Sequence, residues 1–146
     1  MSGKWDIVTL SEADYDAVLA LWQAAGLSIR PDGRDSRAQY VAQAAQDTQT
    51  VIGARDGGVL IGVIVATHDG RKGWLNRLAV HPEHRRRGIG MALVQAAEQV
   101  LQRQGLQITA ALIEDWNDAS QALMTRAGYI THPDVHYLSK REHDEV

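Results

Sequence analysis

The stretch Leu75-Asn76-Arg77-Leu78-Ala79-Val80-His81-Pro82-Glu83-His84-Arg85-Arg86-Arg87-Gly88-Ile89-Gly90-Met91-Ala92 constrains this chain more than any other. An apolar run leads into a short basic loop with two glycines, and a long amphipathic pattern follows. A strand that turns through such a loop into a helix builds an anion site. The first N–H groups of a helix have no intrahelical acceptor, and the helix dipole adds about half a positive charge at that end. Glycine lets backbone approach a phosphate where a Cβ would collide. Arginine adds full charge and forked donors that match phosphate oxygens. Alone, Arg85 to Arg87 would sooner describe a solvated surface run. Other phosphate motifs are missing: no Gly-rich loop ends in Gly-Lys-Ser/Thr, and Leu93 stands where a dinucleotide fingerprint needs glycine or alanine.

The elements around this segment follow from periodicity and caps. Ile7 to Leu10 reads as a first strand. Ser11 with Asp14 resembles a capping box, and Ala17, Val18, Leu21, Trp22 and Ala25 give the next helix an apolar face that ends at Gly26. Leu27 to Asp35, with Pro31 and Gly33, is a loop, and Arg37 to Gln46 a second helix. Thr50 to Ala54, Val59 to Thr67 and Trp74 to Val80 form an antiparallel meander, its first turn set by Asp56-Gly57-Gly58. Gly88 to Gln104 is a long helix stopped by Gly105. Leu106 to Ile113 reads as a strand buried on both faces, and Asn117 to Ala127 as a helix closed by Gly128. Tyr129-Ile130 and Val135 to Ser139 read as closing strands. The order is α+β.

At 146 residues the chain is one domain, 1–146. With 15 basic and 18 acidic side chains, its net charge is −3, which excludes a protein that coats nucleic acid throughout. The absence of cysteine excludes disulfides and thiolate chemistry. Met1 to Asp6 has no apolar leader pattern, and no apolar run reaches the ~18 residues of a membrane span. The expectation is a cytoplasmic protein without nucleic-acid or membrane partners.

Arg85-x-x-Gly88-x-Gly90, after Leu78-Ala79-Val80-x-Pro82 and before a long helix, resembles the acetyl-CoA signature of the GNAT (GCN5-related) N-acetyltransferases. Downstream, Asn117-Asp118-Ala119-Ser120-x-Ala122-Leu123-x-x-Arg126-Ala127-Gly128-Tyr129 is similar to that family's second signature. Leu21-Trp22, Gly26-Leu27, Arg30-Pro31 and Leu138-Ser139-Lys140-Arg141 loosely resemble its YpeA-like bacterial subgroup. The resemblance implies a GNAT fold, with a mixed, mostly antiparallel sheet of six to seven strands and about four helices. It implies acetyl-CoA as co-substrate, no metal, a small-molecule or peptide amine as acceptor, and the homodimers frequent in the family.

The resemblance also places roles. Main-chain groups of Leu78, Ala79 and Val80 would bind the pantetheine arm as an added strand. The amides of Arg86, Arg87, Gly88, Ile89, Gly90 and Met91 would cradle the pyrophosphate, with Arg85 or Arg86 reaching the nucleotide phosphates. Asn117 and Ser120, with Met124, would line the coenzyme from the next helix, although Asn117 also reads as a plain N-cap. Val80 N–H would be the oxyanion donor. Many relatives carry a tyrosine where this chain has Met124, which cannot protonate the leaving sulfur. Tyr129 and Tyr137 are the substitutes, although the Tyr129 position more often packs in the core. Asn76-Arg77 offers no base where relatives often have a carboxylate, so Glu114 is the candidate, and it equally fits an exposed turn residue, with Asp115 beside it as a cap.

The histidines give no helical metal face, since Pro82 and Pro133 interrupt His81/His84 and His132/His136. Asp32 and Asp35 hint at a cationic acceptor, but Arg30, Arg34 and Arg37 offset them. The leading reading is an acetyl-CoA-dependent N-acetyltransferase acting on a primary amine by direct attack on the thioester. The alternative, motivated by Met124 and the missing strand carboxylate, is a non-catalytic acyl-CoA-binding or regulatory module. A nucleic-acid module built on the arginines is disfavoured by the net charge.

Overall fold

A computed structural model describes residues 5–144. Met1 to Lys4, on which part of the leader reading falls, and Glu145 and Val146 lie outside them. The strands are β1 (Asp6–Thr9), β2 (Gln49–Asp56), β3 (Val59–His68), β4 (Gly73–Val80) and β5 (Thr109–Ala111). The helices are α1 (Tyr15–Ala24), α2 (Arg37–Ala44), α3 (Ile89–Arg103) and α4 (Asp118–Arg126). The sheet runs β1-β2-β3-β4-β5, antiparallel except for the parallel β4–β5 pair.

Both faces of the sheet are covered, and the alternation of β3 shows why. Ile64 and Ala66 join α3 residues Ile89, Leu93, Val94, Ala97 and Leu101 in one core. Val63 and Val65 join Val18, Leu21 and Trp22 of α1 and Tyr40 of α2 in the other. Each aliphatic side chain so buried contributes about 1.5–3 kcal/mol. Gly62 sits where a Cβ would lie 2.9 Å from Ile89 Cγ2 and 2.9 Å from Leu93 Cδ1. Its missing side chain therefore lets the first turns of α3 press against β3, opposite Val80 in the register. The capping box before α1 is present: Ser11 N–H donates to Asp14 Oδ2 at 2.8 Å, and Ser11 Oγ accepts from Ala13 N–H at 3.3 Å.

Two expectations are corrected. The sheet has five strands among the described residues, because Tyr129-Ile130 and Val135 to Ser139 pair with nothing. Ile130, Val135, Tyr137 and Leu138 are exposed, so no buried face rewards pairing, and Pro133 removes a donor between the two segments. Leu106 to Ile113 shortens to Thr109–Ala111, with Ile108 and Leu112 exposed rather than buried on both faces. This strand is the sheet edge, and it holds β4 only through Gly73↔Thr109, Trp74↔Ala110 and Leu75↔Ala111. Beyond Leu75 the two strands part.

Candidate active site

The parting of β4 from β5 leaves one edge of Asn76 to Val80 without a strand partner. His81 N–H donates to Ile61 O at 2.8 Å. Val80 pairs with Gly62 in the adjoining, non-hydrogen-bonded position, so its own N–H and C=O point away from β3, toward the gap. Between Val63 and Val65 the register slips by one residue, a bulge on β4. Arg77, in the bulge, has φ of 52°, a left-handed conformation rare for a side-chain-bearing residue.

Past Val80 the chain makes a single 3-10 turn, Pro82–His84, capped by His81 Nδ1 accepting from Glu83 N–H at 3.1 Å. Arg86 (φ 66°) and Gly88 (φ 82°) are then both left-handed. Left-handed turns of this kind form the concave backbone nests that hold anions. The first backbone bond into α3 is Ala92 N–H to Gly88 O at 3.1 Å, so the N–H groups of Ile89, Gly90 and Met91 precede it without an intrahelical acceptor. A Cβ on Gly90 would lie 3.1 Å from Leu123 Cδ2 and 3.9 Å from Val80 Cγ2, so this residue sits where α3, α4 and β4 meet. Arg85 and Arg86 are exposed. Arg87 is different: it pairs with Asp56 at 3.2 Å, contacts His84 Nδ1 at 2.7 Å and lies over the Trp5 ring, so its side chain locks the loop.

On α4, Asn117 Oδ1 accepts from Ser120 N–H at 3.1 Å, which makes Asn117 an N-cap. Met124 is buried in the α3-side core. Glu114 is exposed just past β5, with its carbonyl accepting from Asn117 N–H at 3.0 Å. The carbonyls of Glu114 and Asp115 both accept from Gln121 Nε2, at 3.1 and 3.0 Å, so the backbone of this loop is fixed although its carboxylates are free to face solvent. Tyr129 has polar partners of its own. Its hydroxyl donates to Glu98 Oε2 at 2.7 Å and lies 2.8 Å from Thr109 Oγ1, and burial pushes its pKa up to about 12. That position ties α3 to β5. Tyr137 is exposed in the tail.

Sequence reasoning missed a buried charge cluster on the opposite face. Asp35 is 6% exposed. Its Oδ2 accepts from Arg30 N–H at 2.7 Å and from Arg34 Nε and Nη2 at 3.2 and 3.1 Å, while Oδ1 lies 3.6 Å from Arg77 Nη1. The Arg77 guanidinium stacks 4.1 Å from the centroid of Trp22. Burial holds its pKa below the ordinary arginine value, Asp35 opposing and Arg34 adding to the depression, yet it stays charged at any physiological pH. Arg77 Nε and Trp22 Nε1 are buried without an acceptor among the described residues, at a cost of about 1–3 kcal/mol each. Asp35 is thus consumed by arginines and offers no charge to a cation. The signal in the sequence was Asn76-Arg77, two polar residues breaking a strand's alternation.

The aminoglycoside acetyltransferase AAC(6')-Iy, solved with the bisubstrate analogue CoA-S-monomethyl-acetylneamine, is 20% identical over 94% of this chain and 98% of its own, with TM-score 0.80. The PaiA N-acetyltransferase of Thermoplasma acidophilum, solved with coenzyme A, is 18% identical over 84% of this chain and 87% of its own, with TM-score 0.74. An aminoglycoside acetyltransferase from an uncultured soil metagenomic sample, solved with sisomicin, is 17% identical over 94% and 97%, with TM-score 0.77. These likenesses establish a shared fold. A model of the acetyltransferase (GNAT) family matches residues 15–129, and with most of the chain inside that match, the protein belongs to the acetyltransferase (GNAT) family.

Proposed function

We propose that this protein binds acetyl-CoA across the β4–β5 gap and transfers its acetyl group to a primary amine by direct attack. The observation that carries the reading is the continuity of two unsatisfied backbone surfaces. The free edge of β4, with Val80 N–H turned outward, runs into the left-handed loop and the open N-terminus of α3. A pantetheine arm, which carries amide donors and acceptors, fits an unpaired strand edge. A pyrophosphate fits the N–H groups of Gly88 to Met91, with the exposed Arg85 and Arg86 supplying charge. Two solved structures of this fold hold coenzyme A or an analogue of it.

The chemistry then follows from what the chain presents. The amine nitrogen forms a bond to the thioester carbonyl carbon, the oxyanion is held by Val80 N–H, and collapse breaks the C–S bond. CoA leaves as a thiolate, which a thiol pKa near 8.5 permits without a general acid. This suits a site where Met124 is buried and the Tyr129 hydroxyl is bound to Glu98. The proton lost by the amine passes to solvent, with Glu114 at the mouth of the gap as its acceptor through water.

Calorimetry with acetyl-CoA tests the cradle. Gly88→Val should cost about 1–2 kcal/mol of stability for its left-handed backbone and abolish measurable binding while the circular dichroism spectrum is kept. Undiminished binding would remove the cradle assignment. Release of free CoA thiol with an amine separates the enzyme from a binding module, which would bind acetyl-CoA and turn nothing over.

A further inference from the structure

From the Arg34–Asp35–Arg77 cluster we infer that the acceptor carries a carboxylate beside its amine, as a free amino acid does, and is not a polycation. The inference rests on the reading above and concerns the other side of the same gap. If the coenzyme lies against α3 and α4, the acceptor must approach from the face covered by α1, α2 and the loop between them. That is the face Arg77 turns to, because its guanidinium stacks on Trp22 of α1 and meets the 27–36 loop.

The charges there do not cancel. Arg34 and Arg77 share the single carboxylate of Asp35, which leaves one positive charge in excess. Their other bonds go to an uncharged oxygen: Arg34 Nη2 and Arg77 Nη2 both donate to Ser28 O, at 3.0 and 3.2 Å. The Arg30 guanidinium, next to them, donates among the described residues to Ser28 Oγ and the Asp144 carbonyl, at 3.3 and 3.1 Å. Arg77 Nε and Trp22 Nε1, which find no acceptor among the described residues, are themselves buried, so the reachable donors are the terminal guanidinium nitrogens. Arg34 and Arg77 remain partly exposed, at 33% and 24% of their side chains, so an incoming group can reach them. An excess of cation presented on partly exposed, forked guanidinium donors is the complement of a carboxylate. The same excess repels a polyamine, whose approach would add like charge at close range.

The test is equilibrium binding at saturating CoA, so that it does not depend on turnover. Free amino acids, with ω-amino acids of increasing length, are titrated beside their carboxamides, which differ only by the lost negative charge. Spermidine is the polycation arm. At least one acid should bind tenfold or more tightly than its amide, with spermidine undetected. Arg34→Glu, at a partly exposed site, should erase that preference and leave acetyl-CoA affinity unchanged. Equal binding of acid and amide, binding of spermidine alone, or no binding by any acid overturns the inference. Loss of acetyl-CoA binding by the unaltered protein would instead strike the proposed function, so the two failures are told apart.

Discussion

Replacing Asp35 by alanine should destabilise the protein more than almost any other single change outside the aliphatic core. At 6% exposure, its carboxylate is the shared acceptor for Arg30 N–H, Arg34 and Arg77. The substitution leaves two guanidinium groups facing each other and one backbone donor without a partner. Removing one partner of a buried ion pair costs about 3–5 kcal/mol. Arg34 is a third exposed, so water screens part of its loss and the lower half of that range applies. A domain of this size loses about 2–4 °C in melting temperature per kcal/mol, so the midpoint should fall by roughly 6–16 °C. Urea denaturation gives the free energy directly, and Asp35→Asn, which keeps shape and accepts one bond, should recover part of it. Acetyl-CoA affinity should hold, because the proposed coenzyme surface lies on the other face of the sheet. A loss below about 1 kcal/mol would show that water already solvates the cluster and would refute the argument from burial.

Three further substitutions test the arrangement. Gly62→Val forces a side chain against Ile89 and Leu93; overpacking should cost about 1–3 kcal/mol and, by displacing the first turn of α3, weaken acetyl-CoA binding, whereas stability loss with unchanged affinity would uncouple the two. Glu114→Gln should lower turnover by ~10²-fold near neutral pH, with the deficit shrinking as the amine loses its proton unaided at higher pH; an unaltered pH–rate profile would exclude Glu114 as the base. Burial raises the pKa of Tyr129 from 10.0 to about 12. The folded state therefore keeps a proton that the unfolded chain gives up, and this contribution to stability is complete below pH 10 and lost as pH rises through about 12. Tyr129→Phe should flatten that alkaline decline and leave turnover within a few-fold (~2–5) of the parent; a collapse of turnover in a folded variant would make the hydroxyl a proton donor.

What was legible in the sequence is what depends on near neighbours. Ser11 and Asp14, the apolar stripe of α1, the Asp56-Gly57-Gly58 turn and the strand–loop–helix around Gly88 are local patterns, and each forms where its residues place it. Strand pairing is not local. Val135 to Ser139 alternates well enough to read as a strand, but pairing needs a partner edge and a buried face, and its apolar side chains have neither. Asp35 reads as an exposed acid beside Asp32; its burial is decided by Arg77, which arrives from a distant strand. Arg87 reads like Arg85 and Arg86, and only the fold brings Asp56 to it.

The bulge explains why the two proposed binding surfaces occur together. Along an unbroken strand Leu75 and Ala79 would face the same way. Here Leu75 lies in the core under α3 and Ala79 in the core under α1. One extra residue between Asn76 and Ala79 reverses the second half of β4. The reversal sends Arg77 onto Trp22 and Asp35, and it sets the Val80 side chain against the α3 core. β5 leaves the sheet at the same level, so the reversed half is also the half whose amide edge is free. A polar pair, Asn76-Arg77, that looks like a defect in a strand is thus the point at which one sheet presents an unpaired backbone edge, the proposed coenzyme surface, on one side and the Arg34–Asp35–Arg77 cluster, the proposed acceptor surface, on the other.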